Sequence, residues 1–314
     1  MTGPFEHHHA EVNGLRLHFA AAGPGTAPLI LFVHGFPEFW YAWRDQLAEF
    51  SRDHRAVAPD LRGYNLSDKP PEVKDYRAKH LVEDLRQLIL ALGRDKAVVV
   101  AHDWGGAAAW SLAAQHPEVV ERLVIINAPH AVPFARALAS EPDQQAASQY
   151  MRMLRSPQSE ILLAAEGYAG LKAVFDQFGQ GWEGLAEGDR ARYLEAWSRP
   201  GALTGALNYY RASPLYPPGP NPGNDRGAAD LCIDPAPFVV RVPTLVIWGE
   251  ADAALLPCLL EGLEDVVTDL RIERVPGAGH WIVHERPELV NRLIREFIDD
   301  HGARGARSPA GGSG

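Results

Sequence analysis

Residues 97–106 read AVVVAHDWGG, and this stretch decides the fold of the 314-residue chain. Residues 97–101 form a short, apolar, valine-rich run of the kind found in buried β-strands. Asp103 follows the run, and Gly105 lies near the start of a segment of small residues that favours a helix. The sequence therefore predicts a strand that turns sharply into a helix at Asp103. Ala101 and Gly105 are small enough to let such a turn close.

A turn of this kind, a nucleophile elbow, presents the side chain at its tip for attack on a substrate. Asp103 occupies that place here. A purely structural role is the alternative, because Asp is a favoured N-cap residue and Asp103 could simply cap the helix. The remaining motifs of the chain favour the nucleophile.

Short apolar runs alternate with helical patterns along the chain, which is typical of a largely parallel sheet covered by helices. The predicted strands are Leu29–Val33, Ala56–Ala58, Ala97–Ala101, Leu123–Ile126, Thr244–Trp248 and Leu270–Val275. From about residue 131 to residue 211 the pattern is helical, with scattered aromatic residues. Because strand patterns lie on both sides of this segment, we expect an α/β core interrupted by a helical insertion.

The domain boundaries follow from the same pattern. Residues 1–129 and 228–301 are predicted to form the α/β core. Residues 130–227 are predicted to form a helical cap inserted into it. The tail, residues 302–314, reads GARGARSPAGGSG and is too poor in large apolar residues to fold, so we expect disorder there.

Composition excludes several classes of function. The chain is 46% hydrophobic and 22% charged, which allows a sizeable core. Its formal charge of −10 argues against nucleic acid or an anionic membrane as a partner. No run approaches the roughly 18 apolar residues of a membrane span, and no basic-then-apolar secretory signal begins the chain. A cytoplasmic protein without nucleic-acid or membrane partners is the expectation.

Metal and cofactor chemistry have little support in the sequence. His7, His8 and His9 could suggest a metal, but a short histidine run in a tail is more often inert. Cys232 and Cys258 are the only cysteines, and they form neither a disulfide framework nor a CxxC motif. We therefore expect no metal and no cofactor, and the oligomeric state stays open.

Two further polar residues follow predicted strands. Asp252 comes after the strand at 244–248, and His280 lies in a Gly-rich loop before the last helix. Together with Asp103 they stand in the order nucleophile, acid, histidine, which is the chain order of a hydrolase triad. Glu250 is close to Asp252, but its spacing is less suitable. The other place where an acid could stand, residues 127–129, reads NAP and holds no carboxylate.

These motifs resemble those of the soluble epoxide hydrolases of the α/β-hydrolase fold. The similar segments are His34-Gly35-Phe36-Pro37, His102-Asp103-Trp104-Gly105-Gly106, Trp248-Gly249-Glu250-Ala251-Asp252 and Gly279-His280. The resemblance covers the chain from about residue 11 to residue 301. It implies an α/β-hydrolase fold, a mostly parallel sheet flanked by helices with an inserted helical cap.

The resemblance also implies roles for individual residues. The backbone N–H groups of Phe36 and Trp104 would form an oxyanion hole, and two cap tyrosines, Tyr150 and Tyr210, would protonate the epoxide oxygen. Tyr209 adjoins Tyr210, so the choice between them rests on the resemblance alone. The substrate pocket is expected to include Phe36, Pro37, Trp104 and Trp281.

A carboxylate nucleophile narrows the chemistry. It needs no deprotonation, and it suits attack on a saturated carbon that carries a leaving group. The resulting ester of Asp103 must be cleaved by water, with His280 as general base and Asp252 orienting the imidazole. An epoxide oxygen leaves as an alkoxide and needs a proton, which phenols supply at pH 7. The predicted reaction is hydrolysis of a small apolar epoxide to a vicinal diol.

Two other functions stay open at this point. A haloalkane or haloacid dehalogenase would use the same triad, and Trp104 beside the nucleophile suits a halide. The second halide donor would have to be a cap tryptophan, Trp182 or Trp197. The arginine pair of fluoroacetate dehalogenases is missing, since its positions hold Trp104 and Ala107. A non-catalytic ligand-binding protein on the same fold is the other alternative.

Overall fold

A computed structural model describes residues 5–179, 181–219 and 225–305 of the chain. Within these residues a single sheet of eight strands runs in the order β1-β2-β4-β3-β5-β6-β7-β8. The strands are β1 Glu6–Val12, β2 Leu15–Ala22, β3 Leu29–Val33, β4 Arg55–Pro59, β5 Ala97–His102, β6 Val120–Ile126, β7 Thr244–Gly249 and β8 Leu270–Val275. The first two strands pair antiparallel with their neighbours, and all later pairs are parallel.

The central strands bring their carboxyl ends to one edge of the sheet. Val33 of β3 lies opposite Ala101 of β5, which lies opposite Ile125 of β6. Every residue of β3, β5 and β7 is buried, as expected for strands covered on both faces. In such sheets the loops that follow the strands form the binding crevice.

Helices lie on the sheet and in the long connection between β6 and β7. α1 packs against α11, and α2 packs against α3. The helices outside the long connection are α1 Arg44–Phe50, α2 Ala78–Ala91, α3 Asp103–Gln115, α10 Ile282–Glu285 and α11 Pro287–Gly305. The helices within it are α4 Ala131–Ser140, α5 Pro142–Ala147, α6 Gln149–Arg155, α7 Ser159–Phe178, α8 Glu187–Ser198 and α9 Ala202–Ala212. α7 is kinked at residues 165–168, where the backbone leaves helical geometry.

The helices of the long connection are attached to the rest of the protein by hydrogen bonds. The indole N–H of Trp197 in α8 donates to the carbonyl of Pro37 at 2.7 Å. The hydroxyl of Tyr209 in α9 donates to the carbonyl of Arg62 at 2.9 Å. This position agrees with a helical insertion over the sheet, while the boundaries 1–129, 130–227 and 228–301 stay predictions.

All six predicted strands are confirmed, but the chain also forms a hairpin that the sequence analysis missed. β1 and β2 are joined by Asn13 and Gly14, both with left-handed backbone (φ +50° and +74°). Asn-Gly is a strong signal for a two-residue hairpin turn, so the pattern was present in the sequence. The expectation of a free tail at His7–His9 was wrong, because these residues belong to β1.

The chain end also differs from the prediction. α11 continues to Gly305, so residues 302–305 of the predicted disordered tail are helical. Residues 306–314 lie outside the described residues.

Neither a helix that could span a membrane nor a metal-binding cluster is present in the same part of the chain. None of the helices there is long and apolar enough to cross a membrane. Among the described residues, no group of three or more His, Cys, Asp or Glu side chains could hold a metal ion.

Candidate active site

The turn between β5 and α3 is strained at Asp103. This residue has a φ of +50°, in the left-handed region that residues other than glycine seldom adopt. A Cβ atom at Gly105 would collide with the carbonyl oxygens of Val33 and His34, so only glycine allows β3 and α3 to approach so closely. Strained backbone of this kind is found mainly at functional sites, where the surrounding packing maintains it.

The carboxylate of Asp103 is held by the loop after β3. The backbone N–H of Phe36 donates to Asp103 Oδ1 at 2.7 Å. Gly35 lies so close that a Cβ there would collide with the same carboxylate. The N-cap of α3 is His102, and its side chain makes no capping bond. The side chain of Asp103 therefore faces this loop instead of capping its own helix.

A second backbone donor adjoins Asp103. Trp104 is the second residue of α3. The first four N–H groups of a helix have no intrahelical acceptor. The two N–H groups expected to form an oxyanion hole thus belong to the loop after β3 and to the first turn of α3.

His280 lies between two carboxylates. Its Nδ1 is 2.7 Å from Asp252 Oδ2, and its Nε2 is 3.8 Å from Asp103 Oδ2. Because the Asp252 oxygen can only accept, Nδ1 carries the hydrogen and Nε2 is directed to the nucleophile. Glu250 instead pairs with Arg274 at 3.4 Å, away from the imidazole.

Burial and charge act on His280 in opposite directions. Burial lowers the pKa of this imidazole, but the charge and hydrogen bond of Asp252, together with the charges of Asp103 and Glu38, outweigh it. The net result raises the pKa of His280 to about 9. Burial raises the pKa of Asp252, while the charge and hydrogen bond of His280 outweigh burial and leave it lowered. At pH 7 the arrangement favours an imidazolium between carboxylates.

Asn127 is a site residue that sequence analysis overlooked. Its Nδ2 donates to Asp252 Oδ2 at 2.7 Å, and its Oδ1 accepts from the N–H of Gly249 at 2.8 Å. Asp252 Oδ1 also accepts from the N–H groups of Ala254 and Leu255. The sequence analysis considered residues 127–129 only as a place for the acid of the triad. The Asn127 side chain instead orients the carboxylate of Asp252, which follows the next strand.

Two tyrosines from different helices line the same cavities as Asp103. The rings of Tyr150 in α6 and Tyr210 in α9 have centroids 6.3 Å apart. Burial, and then the charge of Asp103 among others, raises the pKa of both phenols well above 10, so both are protonated at neutral pH. Tyr209 differs, since its hydroxyl donates to Arg62. The structure thus brings Tyr210, and not Tyr209, to the cavities that contain Asp103.

Two cavities share Asp103, Tyr150 and Tyr210 in their walls. The larger has a volume of about 330 Å³, and the smaller about 70 Å³. Apolar side chains dominate both walls. The larger cavity is lined by, among others, Phe36, Leu154, Leu163, Val174, Phe178, His280 and Trp281. The smaller is lined by, among others, Trp104, Ala107, Phe134, Met151 and Leu215.

Pro37 lies outside the walls of these two cavities. It does not line either cavity in the described part of the chain; it lines a separate space of about 10 Å³. Its carbonyl accepts the indole N–H of Trp197, which directs the residue toward α8. Phe36, Trp104 and Trp281 line the cavities that contain Asp103, and the place of Pro37 in the substrate pocket stays a prediction.

Comparison with known proteins agrees with this geometry. Residues 28–287 match the model of a family described as alpha/beta hydrolase fold. Epoxide hydrolase 3 of Xenopus tropicalis is 38% identical over 294 residues, which span 92% of this chain and 76% of that protein.

Solved structures give the same result. A novel epoxide hydrolase from metagenomes of hot environments is 38% identical, with a TM-score of 0.85 over 94% of this chain and 99% of that one. The Bacillus megaterium epoxide hydrolase solved with an inhibitor is 33% identical, with a TM-score of 0.82 over 93% and 100%. The sheet order, the strained turn at Asp103 and these similarities together show that the chain belongs to the epoxide hydrolase family of the α/β-hydrolase fold.

Proposed function

We propose that this protein hydrolyses an apolar epoxide to a vicinal diol through a covalent ester on Asp103. One observation carries the proposal: the Asp103 carboxylate shares its cavities with two buried phenols while an imidazole faces its Oδ2. Nucleophile, acid groups and base are thus gathered around one space. Membership of the epoxide hydrolase family supports the same reaction.

The first step uses the two oxygens of Asp103 differently. Oδ1 is held by the Phe36 N–H, so Oδ2 is the oxygen that attacks a ring carbon of the epoxide. As the C–O bond of the ring breaks, Tyr150 and Tyr210 donate a proton to the oxygen that leaves. Their raised pKa keeps them protonated before the reaction, and an alkoxide is still far more basic than a phenolate.

The second step uses His280 as a base. Water attacks the ester carbonyl while Nε2 of His280 takes one of its protons, and the N–H groups of Phe36 and Trp104 stabilise the oxyanion. When the tetrahedral intermediate collapses, its bond to the substrate oxygen breaks and His280 gives the proton to that oxygen, so the diol leaves. The second proton of the water restores the phenol that was deprotonated in the first step, and Asp103 is again a carboxylate. Ester formation removes the negative charge of Asp103, one of the charges that raise the pKa of His280. The pKa therefore falls once the ester has formed, and the imidazole becomes available as a base when hydrolysis requires it.

The dehalogenase alternative loses its second halide donor. The indole N–H of Trp197 is bound to Pro37. Neither Trp182 nor Trp197 lines the two cavities around Asp103 in the described residues. The phenol pair suits a leaving oxygen better than a halide. The site also retains every member of the proposed triad, which argues against a non-catalytic binding protein.

The domain boundaries, the substrates and the cellular location are part of the same proposal. The proposed cap, residues 130–227, supplies Tyr150 and Tyr210, and the proposed core supplies the triad. The substrates are a small apolar epoxide and water. Independence from metals and cofactors, absence of a nucleic-acid partner and a cytoplasmic location stay predictions.

A single turnover in heavy-oxygen water tests the covalent step. With styrene oxide as substrate and enzyme in excess, label should enter the Asp103 side chain, read by mass spectrometry of the peptide that contains it. The His280→Gln variant should accumulate enzyme heavier by one substrate. If the peptide from the wild-type protein stays unlabelled while diol forms, water attacks the epoxide directly and the ester mechanism is wrong.

A further inference from the structure

Arg155 links the two helices that carry the proposed proton donors. It lies in the last turn of α6, the helix of Tyr150. Its guanidinium reaches α9, where Nη1 donates to the backbone carbonyl of Tyr210 and, at 2.7 Å, to that of Ser213. A side chain on the helix of one tyrosine therefore holds the main chain of the other tyrosine.

The guanidinium of Arg155 is fixed on more than one side. The two carbonyls lie at the C-terminal end of α9, where the partial negative charge of a helix end favours a cation. The guanidinium carbon also lies 4.0 Å from the centre of the Tyr216 ring, which is a cation–π contact. Because the side chain is only partly exposed, these contacts leave it little freedom. Arg155 can therefore hold α9 at a fixed place relative to α6.

Arg211 makes the reciprocal connection. It lies in the last turn of α9, and its Nη2 donates at 3.1 Å to the carbonyl of Ser156, the C-cap residue of α6. It also forms a bidentate pair with Glu160 in the first turn of α7, at 2.7 and 2.8 Å. Each of the two helices thus has, in its last turn, an arginine that binds the end of the other helix.

The proposed ring opening makes the separation of the two phenols important. Tyr150 and Tyr210 must reach the same leaving oxygen, and their ring centroids are 6.3 Å apart. Since they come from different helices, this separation depends on how α6 and α9 pack. A displacement of about 1 Å at a reacting centre can slow a reaction about a hundredfold. A hydrogen bond from α6 to the main chain of Tyr210 acts on this separation directly.

We propose that Arg155 is a positioning residue for ring opening: it sets the separation of the Tyr150 and Tyr210 phenols so that both reach the epoxide oxygen. The inference rests on the proposed function. Arg155 transfers no proton itself, since its Nη1 binds main-chain oxygens. Ester hydrolysis uses His280 and needs neither phenol as a donor to the leaving oxygen, so it should depend little on Arg155.

A double-mutant cycle with Arg155→Met and Tyr210→Phe tests this role. Rapid-quench experiments with styrene oxide separate ester formation from ester hydrolysis. Arg155→Met alone should slow ester formation about tenfold and change ester hydrolysis by less than about twofold. In the Tyr210→Phe background the same change should slow ester formation by less than about threefold, because the phenol that Arg155 positions is already gone.

Arg152→Met is the matched control. Arg152 lies on the same helix, but it donates to the carbonyl of Pro217 at 3.2 Å and to Asp225 at 2.7 Å, both outside α9. Its loss should leave both steps within about twofold of the wild type, since partly exposed ion pairs contribute little.

Three outcomes would overturn the proposal. A wild-type rate of ester formation in Arg155→Met would show that the bond to α9 has no effect on the phenols. Equal slowing in both backgrounds would show that Arg155 acts independently of the Tyr210 phenol. Equal loss in both steps would show a purely structural role. If Arg155→Met does not fold, Arg155→Lys keeps a charged donor of shorter reach, and the same dependence on Tyr210 is required of it.

The proposed function is checked separately in the same experiment. His280→Gln must accumulate the ester, and Tyr210→Phe must form it more slowly than the wild type. If either fails, the proposed mechanism is wrong, and the role of Arg155 falls with it. If both hold while the effects of Arg155→Met and Tyr210→Phe are additive, only the role of Arg155 is wrong.

Discussion

Asp103 is held by two separate parts of the chain. Its backbone is fixed by the turn from β5 into α3, and its carboxylate is fixed by the Phe36 N–H from the loop after β3. Movement of either part would change the direction of Oδ2. As the proposed nucleophile, Asp103 would therefore be oriented before the substrate arrives, and attack would need little reorganisation.

The two phenols give the first prediction at this scale. Tyr150→Phe and Tyr210→Phe should each slow ester formation by about tenfold or more, because each removes a proton donor for the leaving oxygen. The double variant should be slower than either. Rapid-quench measurement of the ester with styrene oxide gives the rate directly.

Tyr209→Phe is the matched control for this pair. Tyr209 is buried next to Tyr210, but its hydroxyl donates to Arg62 instead of lining the cavities around Asp103. Its loss should cost about 1 kcal/mol of unfolding free energy and leave ester formation nearly unchanged. A larger kinetic effect from Tyr209→Phe than from Tyr210→Phe would exchange the roles of the two residues.

His280 gives a prediction for stability against pH. Burial lowers its pKa, but Asp252 and Asp103 raise it to about 9 in the folded protein, against a reference value of about 6.5. Its protonation therefore stabilises the fold fully below about pH 6.5, and this contribution is lost as the pH rises through about 9. The contribution is of the order of 3 kcal/mol.

Urea unfolding of the wild type and His280→Gln at about pH 6 and about pH 10 measures this contribution. The wild type should have a larger free energy of unfolding than the variant at the lower pH, and this difference should disappear at the higher pH. A difference of equal size at both pH values would show that folding does not raise the pKa of His280.

At the scale of secondary structure, the contact between β3 and α3 depends on one missing side chain. A Cβ at Gly105 would meet two carbonyl oxygens of the strand end, and these cannot move without disturbing the sheet. Gly105→Ala should therefore lower the free energy of unfolding by about 3 kcal/mol or more, and activity should fall as the turn at Asp103 shifts. Urea unfolding and the rate of diol formation measure the two effects.

Gly188→Ala provides the control, since Gly188 lies in α8 with open space around its Cα. Alanine there should leave activity unchanged and stabilise the fold by about 0.5 kcal/mol, because it restricts the unfolded chain. If both alanine variants were equally tolerated, close packing at Gly105 would not be a requirement of the fold.

At the scale of the whole molecule, the proposed reaction centre lies between two cavities of unequal size. Tyr150 and Tyr210 stand at their junction with Asp103. An epoxide with substituents on both ring carbons can place one in each cavity, whereas a terminal epoxide needs only one. The cavity walls therefore affect these two substrate types differently.

Ala107→Leu tests this arrangement, because Ala107 lines only the smaller of the two cavities. The longer side chain should lower kcat/KM for disubstituted epoxides by about tenfold and affect terminal epoxides less, since about 1.4 kcal/mol of lost binding gives that factor. Ala173→Leu, which narrows the larger cavity, is the reciprocal variant. Equal losses for both substrate types in Ala107→Leu would contradict separate sites for the two substituents.

Local patterns in the sequence were enough to predict six strands, the sharp turn at Asp103, and the strand ends from which Asp103, Asp252 and His280 come together. They succeed because burial forces apolar residues into regular spacings, and because the turn requires small residues at fixed offsets from Asp103. The hairpin turn at Asn13-Gly14 could have been predicted from a local pattern as well.

Tertiary structure alone decided which side chains meet. Tyr210 lies at the cavities that contain Asp103 and Tyr209 does not, Asn127 donates a hydrogen bond to Asp252, and the carbonyl of Pro37 accepts one from Trp197 in α8. His102 contacts both Glu38 and His280, although 242 residues separate Glu38 from His280 in the chain. These contacts join segments far apart in sequence, and their geometry depends on helix packing and side-chain direction. No spacing within a single segment encodes either of these.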